Sequence, residues 1–178
     1  MQALYNLLDF LFNAYATIVL ARVWLQFARA DFYNPLSQFV VKATQPIVGP
    51  VRRMIPSIGA FDTGTFLIAY LVIFIKLVLF SVMFGSGIPN LLSVAIVSIF
   101  GLLKTAFYLL FVVLIVRMIL SFVSQGNPMQ YVLHQLTEPM LAPIRRVLPV
   151  IGGLDFSPLV LILGIQFLLS LMSQYIGI

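Results

Sequence analysis

The sequence predicts an all-α integral membrane protein whose four transmembrane helices arise by tandem duplication of a helix–amphipathic loop–helix hairpin. Three observations predict it. The 178-residue chain is 62% hydrophobic and 8% charged, with a mean hydropathy of +1.11. A soluble domain carries about 25% charged residues, so this chain has too little polar surface to face water all round. Its apolar runs reach the length of about 20 residues that a helix needs to cross some 30 Å of hydrocarbon. Finally, TQPIVGPVRRMIPSIGAFD (residues 44–62) recurs as TEPMLAPIRRVLPVIGGLD (residues 137–155), with nine of nineteen positions identical.

The first span is expected at about 4–27. No Lys or Arg precedes Arg22 and no small-x-small cleavage pattern follows the apolar run, so the segment reads as a retained span rather than a signal peptide. The second is expected at about 65–84, closed by the turn-forming GSGIPN at 85–90. The apolar run from Ile88 to Val123 is too long for one straight crossing. It predicts an interfacial piece near 90–98, a bend at Gly101 and a third span at 99–123. The fourth span is expected at about 158–175.

Basic residues orient the chain. Arg29, Lys42, Arg52 and Arg53 lie between spans one and two, and Arg145 and Arg146 between spans three and four. With four spans both basic loops fall on one side. The positive-inside rule makes that side cytoplasmic and places both termini outside. Residues 1–87 and 88–178 form the two repeats, in the same orientation because each contains two spans.

Each repeated loop opens on Asn-Pro, at Asn34-Pro35 and Asn127-Pro128, a strong helix start. Leu36, Phe39, Val40 and Ala43 then share one helical face, as do Met129, Val132, Leu133 and Leu136. Both segments read as interfacial amphipathic helices. Pro46 and Pro139 are expected to end them. The Pro-x-Arg-Arg turns offer Arg52, Arg53, Arg145 and Arg146 either as topology anchors or as a clamp for anionic lipid headgroups or a partner's acidic group. Asp62 and Asp155 stand before spans two and four, where an acid complements the positive end of a helix. They are expected to pair with Arg22 and Arg117, which finish the preceding spans.

The repeats differ most in their embedded charges. Asp9 aligns with Lys104, each 13 residues before its repeat's arginine and so about 20 Å deeper. Lys76 is the third embedded charge, and such groups usually face a bundle interior or water-filled cavity. Asn6, Asp9 and Asn13, with Gln2 and Thr17, form a stripe on span one. Lys104 and Tyr108 on span three and Gln166, Ser170 and Ser173 on span four complete an expected polar bundle centre. Two readings stand: an ion- or proton-handling site at Asp9, Lys76 and Lys104, or an Asp9–Lys104 pair that only holds the repeats together. The positive excess argues against a simple cage for a dehydrated cation and points to anion, water or proton passage.

Other chemistry is excluded or thin. The chain has no cysteine and one histidine, His134, so thiolate, zinc and bis-histidine haem sites lack ligands. No catalytic set and no nucleotide-binding glycine motif is present. No cofactor or metal is expected, and the net charge of +5 fits a membrane surface rather than nucleic acid.

The duplicated N-P…T-x-P-x-x-x-P-x-R-R-x-x-P-x-I-G-x-x-D pattern, with Gly-Gly-Leu-Asp-Phe-Ser-Pro at 152–158, resembles the YggT family of bacterial integral membrane proteins and its plastid relatives. The first copy departs at Ala60-Phe61 and Thr63-Gly64-Thr65. The resemblance implies a non-enzymatic inner-membrane protein linked to osmotic-stress tolerance and potassium or proton homeostasis. Its alternative implication is a scaffold or assembly factor for cell division, nucleoid organisation or cytochrome maturation, docking lipid or a membrane-protein partner through the arginine loops. A four-span bundle is thin for a pathway, which raises a homo-oligomer as a further expectation.

Overall fold

The computed structural model describes residues 1–85, 87–123, 128–148 and 155–176. Six helices follow one another: α1 (Gln2–Phe27), α2 (Pro35–Met54), α3 (Thr63–Phe84), α4 (Leu91–Val123), α5 (Pro128–Val147) and α6 (Ser157–Ile176). Among the described residues α1, α3, α4 and α6 are the four long enough and apolar enough to cross a membrane, so the protein is a multi-pass membrane protein. The order span, amphipathic helix, span occurs twice, as the tandem repeat requires.

Local chemistry explains the helix starts. Asn34 caps α2 by accepting hydrogen bonds from Leu36 N at 2.7 Å and Ser37 N at 3.2 Å. Asp62 caps α3 by accepting from Thr65 N at 3.0 Å, and Asn90 caps α4 through Leu92 N and Ser93 N. Asn127, the expected cap of α5, lies outside the described residues. Between α2 and α3 the chain reverses where Ile58 and Phe61 exchange two backbone hydrogen bonds of 3.0 and 3.1 Å. Gly59 sits there at φ +61°, a left-handed conformation in which a side chain would be strained. This turn delivers Asp62 to its capping position.

Two expectations are corrected. Pro46 and Pro139 do not end the amphipathic helices: α2 continues through Pro46 and Pro50, and α5 through Pro139 and Pro143. These four prolines lie on the exposed side. The carbonyls that lose their N–H partners can therefore be solvated, while the opposite face (Val40, Thr44 and Val48 on α2; Val132, Leu136 and Leu141 on α5) stays packed. Nor is there a separate interfacial piece at 90–98, because α4 is one helix of 33 residues. Its first turns contact α3, where the Tyr70 hydroxyl donates to Ala95 O at 3.1 Å. Gly101 serves that contact, since a Cβ there would come within 2.9 Å of Ile73 Cγ2.

Three apolar clusters hold the helices together. One joins Ala16, Val19 and Leu20 of α1 to Ile68 and Ile73 of α3 and Leu102 of α4. A second joins Leu25 of α1 to Val40 of α2 and Leu133 of α5, tying both amphipathic helices together under the bundle. The third joins Leu114 of α4 to Leu141 of α5 and Ile165 of α6. Trp24 packs against all three. Within a bilayer such contacts act through close packing rather than through exclusion of water.

Candidate functional site

The embedded charges meet between α1, α3 and α4. Lys76 Nζ lies 2.6 Å from Asp9 Oδ1 and donates to Asn13 Oδ1 at 2.9 Å. Asn13 Nδ2 donates to Asp9 Oδ2 at 3.0 Å, and Thr17 Oγ1 donates to Asn13 O at 2.7 Å. The one-turn spacing of Asp9, Asn13 and Thr17 stacks them on one face of α1. Lys76 is 14% exposed and Asp9 37%, because these groups border a cavity of about 580 Å3. Lys104, Thr17 and Tyr108 line the same cavity. Along α1 this polar vestibule reaches Thr17, next to the buried Ala16, Val19 and Leu20 of the first cluster.

The aspartate's partner differs from the expectation. Asp9 pairs with Lys76 inside repeat one, not with Lys104 across the repeats. At the repeat offset the counterpart of Lys76 is Leu169, so repeat two has no equivalent bridge. Lys104 is left without a carboxylate in ion-pair range among the described residues. The Asp9–Lys76 pair is formally neutral, and the vestibule therefore keeps one positive charge. Two residues expected at the polar centre lie elsewhere: Asn6 is exposed near the start of α1, and Gln166 is exposed on α6.

The second cluster lies where the spans meet the amphipathic helices. Arg22 is 4% exposed. Its guanidinium donates to Thr44 Oγ1 at 2.8 Å, Gln45 Oε1 at 2.9 Å and Val41 O at 3.4 Å. Arg117 repeats the arrangement, donating to Thr137 Oγ1 and, at 3.1 Å, to Glu138 Oε2. The expected bridges Arg22–Asp62 and Arg117–Asp155 do not form. Each aspartate instead takes the first arginine of the Arg-Arg pair: Arg52 Nε lies 3.2 Å from Asp62 Oδ2, and Arg145 Nη2 lies 2.8 Å from Asp155 Oδ2. Between α2 and α3 the connector folds back at Ile58–Phe61 and brings Asp62 to Arg52, so Arg22 is free to hold Thr44.

Glu138, the chain's only glutamate, was not among the residues singled out, yet it is the hub of repeat two. It receives Arg117, Arg145 at 2.6 Å and His134 at 3.2 Å. Its signal was the one charged difference between TQP and TEP in the two motifs. Burial pushes the Glu138 carboxyl up, but hydrogen bonds from Arg117 and Arg145 together outweigh it and hold the group below its ordinary value. Asp155 is likewise held low: burial raises it, and hydrogen bonds from Ser157 and Arg145 more than offset that. Arg145 is pushed up by the two carboxylates, against the opposing effect of burial. Arg53 and Arg146, the second members of each pair, are exposed and have no acidic partner among the described residues. They sit in the last turns of α2 and α5, where a cation complements the helix dipole. Among the described residues no cluster of three His, Cys, Asp or Glu could hold a metal ion.

A family model described as CCB3/YggT matches residues 1–83 and again residues 96–176. A protein of the proC 3′ region in Vibrio alginolyticus is 51% identical over 99% of this chain and 97% of its own length. The YggT protein of Escherichia coli strain K12 is 50% identical over 92% of this chain and 85% of its own. A Pseudomonas aeruginosa protein is 39% identical over 91% and 84% respectively. No solved structure matches the chain.

Proposed function

From the premise that the chain belongs to the CCB3/YggT family, we propose that it is a non-enzymatic inner-membrane protein acting in osmotic-stress tolerance and ion homeostasis through its polar vestibule. The observation that carries this reading is Lys104, a membrane-embedded cation that lines the cavity with no carboxylate in ion-pair range among the described residues. A charge in that setting is costly to keep and usually belongs to an ion or proton pathway. Asp9 and Lys76 neutralise each other, so the residual positive charge favours a proton or small anion over a dehydrated potassium ion. Transfer across the membrane requires the packed cluster around Ala16, Val19 and Leu20 to part. The basic loops face the cytoplasm and the termini the periplasm, in keeping with the positive-inside rule.

A second reading, a scaffold docking anionic lipid or a membrane-protein partner, is favoured by Arg53 and Arg146, exposed and without an acidic partner among the described residues. Survival after osmotic downshift separates the two in cells lacking the protein and resupplied with variants. Lys104→Leu, which leaves the Asp9–Lys76 bridge intact, abolishes rescue on the first reading. Arg53→Gln with Arg146→Gln abolishes it on the second. Rescue by Lys104→Leu at the wild-type level would overturn the first reading.

A further inference from the structure

The repeat shows what should cover the exposed polar face of α6. Its buried residues Ile162, Ile165, Leu169 and Met172 face α4 and α5. One residue further round the helix, a rotation of about 100°, Gln166, Ser170 and Ser173 form an exposed stripe. None of the three side chains has a hydrogen-bond partner among the described residues. Hydroxyls elsewhere in the spans do: Thr17, Ser98 and Thr105 each donate to the carbonyl four residues earlier. An unsatisfied amide within a span is costly, because hydrocarbon offers it no partner.

At the offset of 93 residues that aligns Asp62 with Asp155, this stripe corresponds to Ile73, Leu77 and Phe80 of α3. Ile73 and Phe80 are buried, and Ile73 is the residue against which Gly101 of α4 fits. Through Ile73 the second span of repeat one docks on the first span of the repeat that follows, while Phe80 packs on Tyr5 of α1. The corresponding partner for α6 is α1, where the offset of 95 that aligns Arg22 with Arg117 pairs Gly101 with Asn6 and Val97 with Gln2. Both Asn6 and Gln2 are exposed, and neither side chain has a hydrogen-bond partner among the described residues. The Ile73–Gly101 contact of the α3–α4 seam thus becomes Gln166 with Asn6: two amides, each able to donate and accept. This seam is not built within the chain, since α6 packs mainly on α4 and α5, and α1 on α2, α3 and α4.

We infer that the Gln166–Ser170–Ser173 face of α6 docks on the Gln2–Asn6 face of α1 in a second copy of this chain. A two-fold axis along the membrane normal lets each copy offer its α6 to the other's α1, so both seams close. Interhelical amide and hydroxyl hydrogen bonds are a recognised means of joining spans in lipid.

The cysteine-free chain makes the test direct. Two differently tagged copies are co-expressed, one carrying Asn6→Cys and the other Gln166→Cys, and membranes are treated with a short thiol cross-linker. The expected product is a dimer bearing both tags, at least tenfold more abundant than when Leu71→Cys, on the exposed side of α3, replaces Gln166→Cys. Subunit counting by photobleaching in nanodiscs provides an independent reading: dimers for the wild type and monomers for Gln166→Leu. The inference is overturned by a monomeric wild type, by equal linking through Leu71→Cys, by linking only between two Gln166→Cys copies, or by a chain carrying both cysteines that closes on itself.

Discussion

The two repeats share a backbone plan but distribute charge in opposite ways. Repeat one concentrates its ionic chemistry deep in the span layer, where Lys76 bridges Asp9 and Asn13. At its loop, Arg22 meets only neutral acceptors, Thr44 and Gln45. Repeat two leaves Lys104 beside the vestibule with no carboxylate in ion-pair range among the described residues; both loops keep an arginine–aspartate bridge, and repeat two adds Glu138, which gathers Arg117, Arg145 and His134. Duplication thus preserved the connector, whereas divergence produced a vestibule with a pair on one side and a lone cation on the other. A symmetric protein could not have placed one uncompensated charge at that position.

The sharpest way to break the comparison is at the paired aspartates. Asp62 is 0% exposed and also accepts Thr65 Oγ1 at 2.6 Å, whereas Asp155 is 33% exposed. Asp62→Ala strands Arg52 and uncaps α3, and is expected to cost about 3–5 kcal/mol. Asp155→Ala, nearer solvent and with Glu138 still holding Arg145, is expected to cost about 1 kcal/mol. Thermal unfolding in detergent, followed by fluorescence-detected size exclusion, reads both; equal losses would show that the two connectors are equivalent.

A smaller effect is expected at the vestibule. Asp9→Leu or Lys76→Leu alone leaves an uncompensated charge and should cost about 2–3 kcal/mol, while the double variant, which imitates Leu169 of repeat two, should recover most of it. A double-mutant cycle by denaturant unfolding measures the coupling. Smaller still is the exchange of the loop chemistries. Glu138→Gln should destabilise by about 1–2 kcal/mol. Gln45→Glu, which gives Arg22 a carboxylate, should stabilise by up to about 1 kcal/mol.

The least effect comes from acid. Glu138 and Asp155 have folded-state pKa values below their ordinary ones. The unfolded chain therefore binds protons first as pH falls, and stability drops with it. Their contribution is complete above the ordinary carboxylate range and disappears as pH falls through the depressed values. Unfolding temperatures between pH 6 and pH 3 should fall for the wild type and be flatter for Glu138→Gln.

These contrasts show where the sequence was readable. The four spans, the duplicated connector, the Asn34 and Asp62 caps and the shared location of Asp9, Lys76 and Lys104 followed from hydropathy, repeat alignment and helical spacing. The choice of partners did not. Periodicity places Asp9 on a face but cannot decide between Lys76 and Lys104, because that depends on how α3 wedges between α1 and α4. The arginine–aspartate assignment failed because the tight turn at Ile58–Phe61 returns Asp62 to Arg52, a nearer partner than Arg22. Pro46 and Pro139 misled because a proline's cost depends on whether the carbonyl it frees can be solvated. Gln166 was placed in the bundle centre because its stripe is polar, whereas α6 turns that stripe outward.

The central claim is that Lys104 works in an ion pathway rather than in packing. Proton, chloride and potassium fluxes into liposomes holding the purified protein test it most directly, with wild type and Lys104→Leu compared at equal, folded incorporation. The account predicts proton or chloride flux in the wild type and at least a tenfold loss in Lys104→Leu. Equal fluxes in both, or none in either, would contradict it and leave the exposed arginines as the working surface.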